Sequence, residues 1–203
     1  MKRLAAEVQK LRPDCVIRAA TLAKPGSLGE ALAGLDQLQI YPFFMADGWF
    51  TRRELPRRLQ LEGLSAPILP AFGLNPALPD LIAGIARDAL DQNPASEMIL
   101  IAHGSKRAHR SKDSAYSMAE SLRDRVTLEA IHVALIEEPP FLADVAALHP
   151  HALCLPFFAL RAGHVDKDIP EALAQAHFAG RLLAPVGEHP KVPELIAASL
   201  EAV

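Results

Sequence analysis

Cysteine is scarce in this chain: Cys15 and Cys154 are the only two among 203 residues. They stand far apart and outside any CxxC spacing, which excludes a disulfide framework and points to buried thiols in a reducing compartment. Long apolar runs are missing too. No stretch approaches the ~20 apolar residues of a membrane span, and the opening "MKRLAAEVQKLRPD" lacks the apolar core of a signal peptide. Nor is there an excess of charge of one sign. A net charge of -3 argues against general nucleic-acid or membrane binding. With 50% hydrophobic and 22% charged residues, the expectation is a globular protein of the cytoplasm.

What the chain does contain is a repeated phrase. "YPFFMADGWFTRRELP", residues 41–56, returns as "LPFFALRAGHVDKDIP", residues 155–170. Pro42 and Pro156 are 114 positions apart, and the same offset pairs Pro25 with Pro139, Leu28 with Leu142, Gly73 with Gly187 and Pro76 with Pro190. A fixed register over most of a half-chain indicates duplication. The polar "DQNPAS" stretch, residues 91–96, reads as the linker, giving halves of residues 1–93 and 94–203.

Each half alternates strand-like and helix-like segments. In the second, "MILIA", "IHVALI", "ALCLPFF" and "RLLAPV" are short apolar runs of strand type, separated by helical stretches. This predicts an α/β fold of two tandem flavodoxin-like halves, each a parallel sheet with helices on both faces. In the first half, strands are predicted near "CVIRAAT", "LQIYPFF" and "APILPAF", with no counterpart of the first strand "MILIA". The halves are expected to pack sheet against sheet about an approximate two-fold axis. If an upstream segment is absent, the first half should show a gap or an exposed edge. Leu4, Val8 and Leu11 form a helical stripe that reads as core.

The polar residues gather at one end of this scaffold. His103 follows the first strand of the second half, Glu137 follows the second, and His164 lies in the loop after the third. A strand order of 2-1-3-4 reverses its winding between the first and third strands, where open α/β sheets bind ligands. Two imidazoles and a carboxylate there can hold a divalent first-row metal with coordination positions open. Gly104 permits close approach, and Ser105 can cap the next helix or bind a ligand. The first half has Ala23 in the place of Glu137 and Phe50 in the place of His164, or Trp49 with a one-residue slip. It keeps the frame and lacks the chemistry. Elsewhere "HPH", residues 149–151, offers two histidines without an evident third ligand and reads as loop; His109, His177 and His189 read as structural or surface residues.

"ILIAHGS", "VALIEEPP", "LPFFALRAGHVDKDIP" and "LAPVGEHP", in that order, resemble the class II chelatases, specifically the CbiX-type sirohydrochlorin cobaltochelatases and ferrochelatases. The resemblance covers residues 97–203. It implies insertion of Co2+, Fe2+ or Ni2+, as substrate, into sirohydrochlorin or a related tetrapyrrole of cobalamin or siroheme biosynthesis, with no organic cofactor. It also implies that His103 and His164 bind metal and accept protons, with Glu137 as acidic partner. The Glu motif is one residue shorter than the family pattern, so Glu138 is the alternative carboxylate. Lys106, Arg107 and Arg110, together with Ser105, can meet the carboxylates of the macrocycle, although the same cations also fit a solvated turn. Trp49 and Phe50 can supply an apolar wall for the ring. The chain is expected to act as a monomer or homodimer. Two other classes fit part of this pattern. A histidine phosphatase would want arginine before the histidine, and Ala102 is there instead. A non-catalytic metal or tetrapyrrole carrier descended from a chelatase shares every motif and differs only in turnover.

Overall fold

The computed structural model describes residues 1–35, 37–104 and 110–200. The second half is built on four parallel strands, β1 (Glu97–Ala102), β2 (Ala130–Leu135), β3 (Leu153–Pro156) and β4 (Arg181–Leu182), in the order β2-β1-β3-β4. This is the α/β architecture and strand order that the alternation predicts. β1 is central and its Met98–Ala102 side chains are all buried. That explains a continuous apolar run where a half-exposed strand would alternate. The helices α5 (Arg110–Arg123), α6 (Leu142–Leu148), α7 (Ile169–Gln175) and α8 (Val192–Ser199) complete this half.

Alternate residues of β1 face different layers, as the two-residue period of a strand requires. Ile99 and Ile101 pack with Ala134 of β2, with Leu142 and Ala146 of α6, and with Ile169 and Leu173 of α7. Met98, Leu100 and Ala102 face a larger core that includes α5, α8 and first-half residues such as Val8, Phe72 and Ile82. A fully buried side chain of this size stabilises the fold by roughly 1.5–3 kcal/mol, so this shared core binds the halves into one body.

The 114-residue register reappears as structure. α3 (Leu55–Leu61) corresponds to α7, and α4 (Leu78–Gln92) begins where α8 does. Phe50–Glu54 and His164–Asp168 are both π-helical turns, each followed by a helix with proline at its start. The amide of Gly73 donates to Phe44 O and that of Gly187 to Phe158 O, each at 2.9 Å. A Cβ on Gly73 would lie 1.9 Å from Met45 O, and one on Gly187 would lie 1.9 Å from Ala159 O. Leu28, Leu32, Leu55 and Leu59 form a satellite cluster at the positions equivalent to Leu142, Ala146, Ile169 and Leu173.

Two expectations need correction. The predicted first-half strands do not form a regular sheet: among the described residues there is one parallel bridge, Ile40 with Ile68, equivalent to Cys154 with Leu182. Among the described residues the first half has no strand in the place that β1 takes in the second. A cavity of about 320 Å³ lies between residues 16–22 and 38–44, the positions that correspond to the strands flanking β1. Side chains stand in for part of the ladder. Gln9 accepts from the Ile17 amide and donates to Arg12 O and Cys15 O, and Ser27 Oγ accepts from the Thr21 amide. Second, the halves meet through helices and not sheet against sheet. α1 (Lys2–Leu11) packs on α8, and α4 packs on α5. These two contacts exchange under the 114 correspondence, as an approximate two-fold relation requires. In α1, Val8 is buried and Leu4 packs against the core, whereas Leu11 is exposed.

Candidate metal centre at the sheet edge

β1 and β3 are neighbours whose connections leave in opposite directions, so their carboxyl ends flank the switch point of the sheet. His103 directly follows β1. His164 comes eight residues after β3 as the first residue of a π-helical turn, where the sequence alone suggests an open loop. The two imidazoles meet edge-on, with ring centroids 4.3 Å apart and planes at 80°. Phe158 forms an apolar flank, its ring centroid 6.5 Å from that of His103.

Both rings are anchored through the same nitrogen. His103 Nδ1 lies 3.0 Å from Gly104 O, and His164 Nδ1 lies 2.5 Å from Asp168 Oδ2. A carbonyl and a carboxylate accept, so each Nδ1 donates, and in the neutral ring the lone pair is left on Nε2. That is the state a metal ligand or a proton acceptor needs. Asp168 was not among the residues singled out from the sequence; the signal available was its four-residue spacing from His164, which brings two side chains to one face of a helical turn.

Gly104 has φ +73°, and a Cβ there would lie 3.0 Å from Glu138 Cγ and 3.3 Å from Leu135 Cβ, so glycine is required by both backbone and space. The amide of Glu137 donates to His103 O at 2.9 Å, which ties the carboxylate loop to the end of β1. Glu138 lies over Gly104 and forms an ion pair with Lys112 at 3.3 Å. Ser105, Lys106 and Arg107 lie outside the described residues, and Arg110 is the first residue of α5.

Trp49 and Phe50 are both exposed, at 55% and 51%, and belong to an aromatic group. Phe50 stacks on Phe44 with centroids 5.8 Å apart and planes at 6°, while Trp49 meets Phe50 edge-on at 5.1 Å. Phe50 is the residue that corresponds to His164, and Glu54 the one that corresponds to Asp168. In the first half that acid pairs with Arg57 and Arg58. A cavity of about 740 Å³ lies elsewhere, between α1 and the 187–194 segment, and is not lined by His103, Glu137 or His164.

A doubly wound parallel sheet with an imidazole pair at its switch point defines a chelatase-type α/β protein. The CbiX family matches over residues 97–203, more than half of the chain. A solved CbiX, described as the terminal enzyme for biosynthesis of siroheme in denitrifying bacteria, is 44% identical with a TM-score of 0.90, over 100% of this chain and 90% of that one. The chain therefore belongs to the CbiX family. SirB from Bacillus subtilis, solved with Fe3+, has the same fold at 12% identity and a TM-score of 0.74, over 97% of this chain and 86% of its own. DR2241 from Deinococcus radiodurans, a multi-domain protein with structural similarity to chelatases, shares the fold at 23% identity and a TM-score of 0.73, over 97% of this chain and 49% of its own. No curated protein matches the chain in sequence. Among the described residues no helix is long and apolar enough to cross a membrane.

Proposed function

We propose that this chain is a sirohydrochlorin chelatase that inserts Co2+ or Fe2+, and by the same donor chemistry Ni2+, into the macrocycle for siroheme or cobalamin biosynthesis in the cytoplasm. The observation that carries the reading is the imidazole pair, anchored through both Nδ1 atoms and so presenting two Nε2 lone pairs at the sheet edge. Insertion forms four metal–nitrogen bonds and releases two pyrrole protons. His103 and His164 hold the partly desolvated metal through Nε2 and then accept those protons. Asp168 orients His164 and offsets the imidazolium that results. A carboxylate from the Glu137–Glu138 pair completes the set. With two or three ligands the site remains open, which suits transfer of the metal better than a closed cage.

In this reading residues 94–203 form the working half. Residues 1–93 form a degenerate half whose Trp49 and Phe50 present aromatic faces to the flat ring. Ser105, Lys106, Arg107 and Arg110 engage the substrate's carboxylates. The test is absorbance spectroscopy of sirohydrochlorin mixed with Co2+ and the purified protein, against the uncatalysed rate. Turnover that disappears in both His103→Ala and His164→Ala is the expected result. Tetrapyrrole binding without turnover by the parent chain would make it a carrier and overturn the proposal.

A further inference from the structure

The opposite edge of the same sheet holds a second cluster of metal-ligand type, contributed by three elements. Glu97 is the first residue of β1. His132 lies on β2 in register with Ile99, and His149 caps the carboxyl end of α6. Glu97 shares the face of Ile99 and Ile101, and His132 shares that of Ala134, so both project into the layer that α6 covers. His149 arrives from that covering helix. The carboxylate bridges the two rings: Oε1 lies 3.0 Å from His132 Nε2, and Oε2 lies 2.9 Å from His149 Nδ1. The rings themselves stack, with centroids 3.7 Å apart and planes at 23°. Donor atoms from the three residues lie within 4.8 Å of one another.

We propose that Glu97, His132 and His149 form a binding site for a divalent cation of the zinc class, separate from the metal that is inserted. A zinc-class ion bonds imidazole nitrogen and carboxylate oxygen at about 2.0–2.2 Å, and tetrahedral geometry then sets its ligands little more than 3 Å apart. The two hydrogen-bonded separations already approach that value. Binding needs each imidazole to carry its proton on the far nitrogen, so that the nitrogen facing Glu97 offers its lone pair, and the donor atoms, now within 4.8 Å of one another, to close on the ion. The three side chains are between 22% and 28% exposed, enough for an ion to enter and for water to fill the fourth position. Such an ion would clip β1, β2 and the end of α6 together. His103 lies six positions beyond Glu97, about 20 Å along a strand, so one ion cannot serve both sites.

The inference is independent of the proposed insertion chemistry, and its test is a difference between two chains. Zn2+ binding is measured by titration calorimetry on the His103→Ala/His164→Ala variant and on the same variant carrying His132→Ala and His149→Ala as well. The expected result is one equivalent bound in the first and lost in the second. Equal stoichiometry in the two overturns the site, whatever their activity. Since replacing two histidines can loosen β2, Glu97→Gln in the first background is the second variant. It keeps an acceptor and removes the charge, and it should weaken Zn2+ by roughly tenfold or more. Unchanged affinity in Glu97→Gln would also reject the proposal.

Discussion

The ring of His164 stands edge-on to that of His103 at a centroid separation of 4.3 Å, and its Nδ1 is held by Asp168 from the same π-helical turn. An α-helical turn would carry the i+4 hydrogen bond in its backbone, whereas the wider π turn shifts that bond to i+5. In the proposed mechanism one residue is both ligand and base, so His164→Ala should lower metal insertion by roughly 10²-fold or more. As the side chain is part-exposed, urea unfolding should show a change of only about 0.5 kcal/mol. Asp168→Asn should reduce the rate less and leave metal binding measurable. A rate for His164→Ala equal to the parent's would remove it from the mechanism.

Phe50 occupies the position of His164 in the other half. Phe50→Ala is expected to raise the apparent KM for sirohydrochlorin, with a smaller effect on kcat, since an aromatic face is worth roughly 0.5–1.5 kcal/mol beyond its buried area. Steady-state assays at fixed pH and metal separate the two. Loss of kcat with an unchanged KM would refute a binding role for this wall.

Glu54, buried at 6% exposure, is hydrogen-bonded by Arg57 and Arg58, which lower its pKa from 4.5 to about 2. A carboxylate with a depressed folded-state pKa contributes stability that is present above the unfolded value and lost as pH falls through the folded one. Glu54→Gln should therefore lower the urea midpoint at neutral pH, and the gap from the parent should narrow between pH 4.5 and 2. A gap that stays constant over that window would show that the ion pairs contribute nothing.

Burial pushes the Cys154 thiol up to about 12, so almost no thiolate forms near neutrality. Alkylation of the native protein at pH 8 should modify Cys15 alone, and mass spectrometry should find Cys154 labelled only after denaturation.

Gly73 and Gly187 each leave no room for a side chain beside a backbone carbonyl. Replacing either with alanine should cost at least ~1–3 kcal/mol of stability, as overpacking does, and thermal unfolding would detect it.

The second half was readable because β1 and β3 are buried on both faces and so appear as unbroken apolar runs, while the repeated prolines fixed the register. "CVIRAAT" has strand composition, yet composition cannot supply the neighbouring chain that a strand needs. His103, His164 and the Glu137–Glu138 loop were legible because each follows a strand. Asp168 was hidden by its turn, since "HVDKD" reads as the approach to a helix and the pairing depends on where that turn begins. The contact of Glu97 with His132 and His149 joins three elements. It follows only from the parallel register that sets Ile99 beside His132.

The cavity between residues 16–22 and 38–44 also has a consequence for how the molecule opens. Amides of β1 are held on both sides by β2 and β3, so their exchange with deuterium requires the whole core to come apart. Those of residues 16–22 rest on single side-chain acceptors such as Gln9 and Ser27, which can release one at a time. Native-state exchange should therefore divide the chain into a slow cooperative unit built on β1 and a faster one around Ile17 and Thr21. Under the proposed function His103, which directly follows β1, would then stay fixed as the macrocycle enters and leaves.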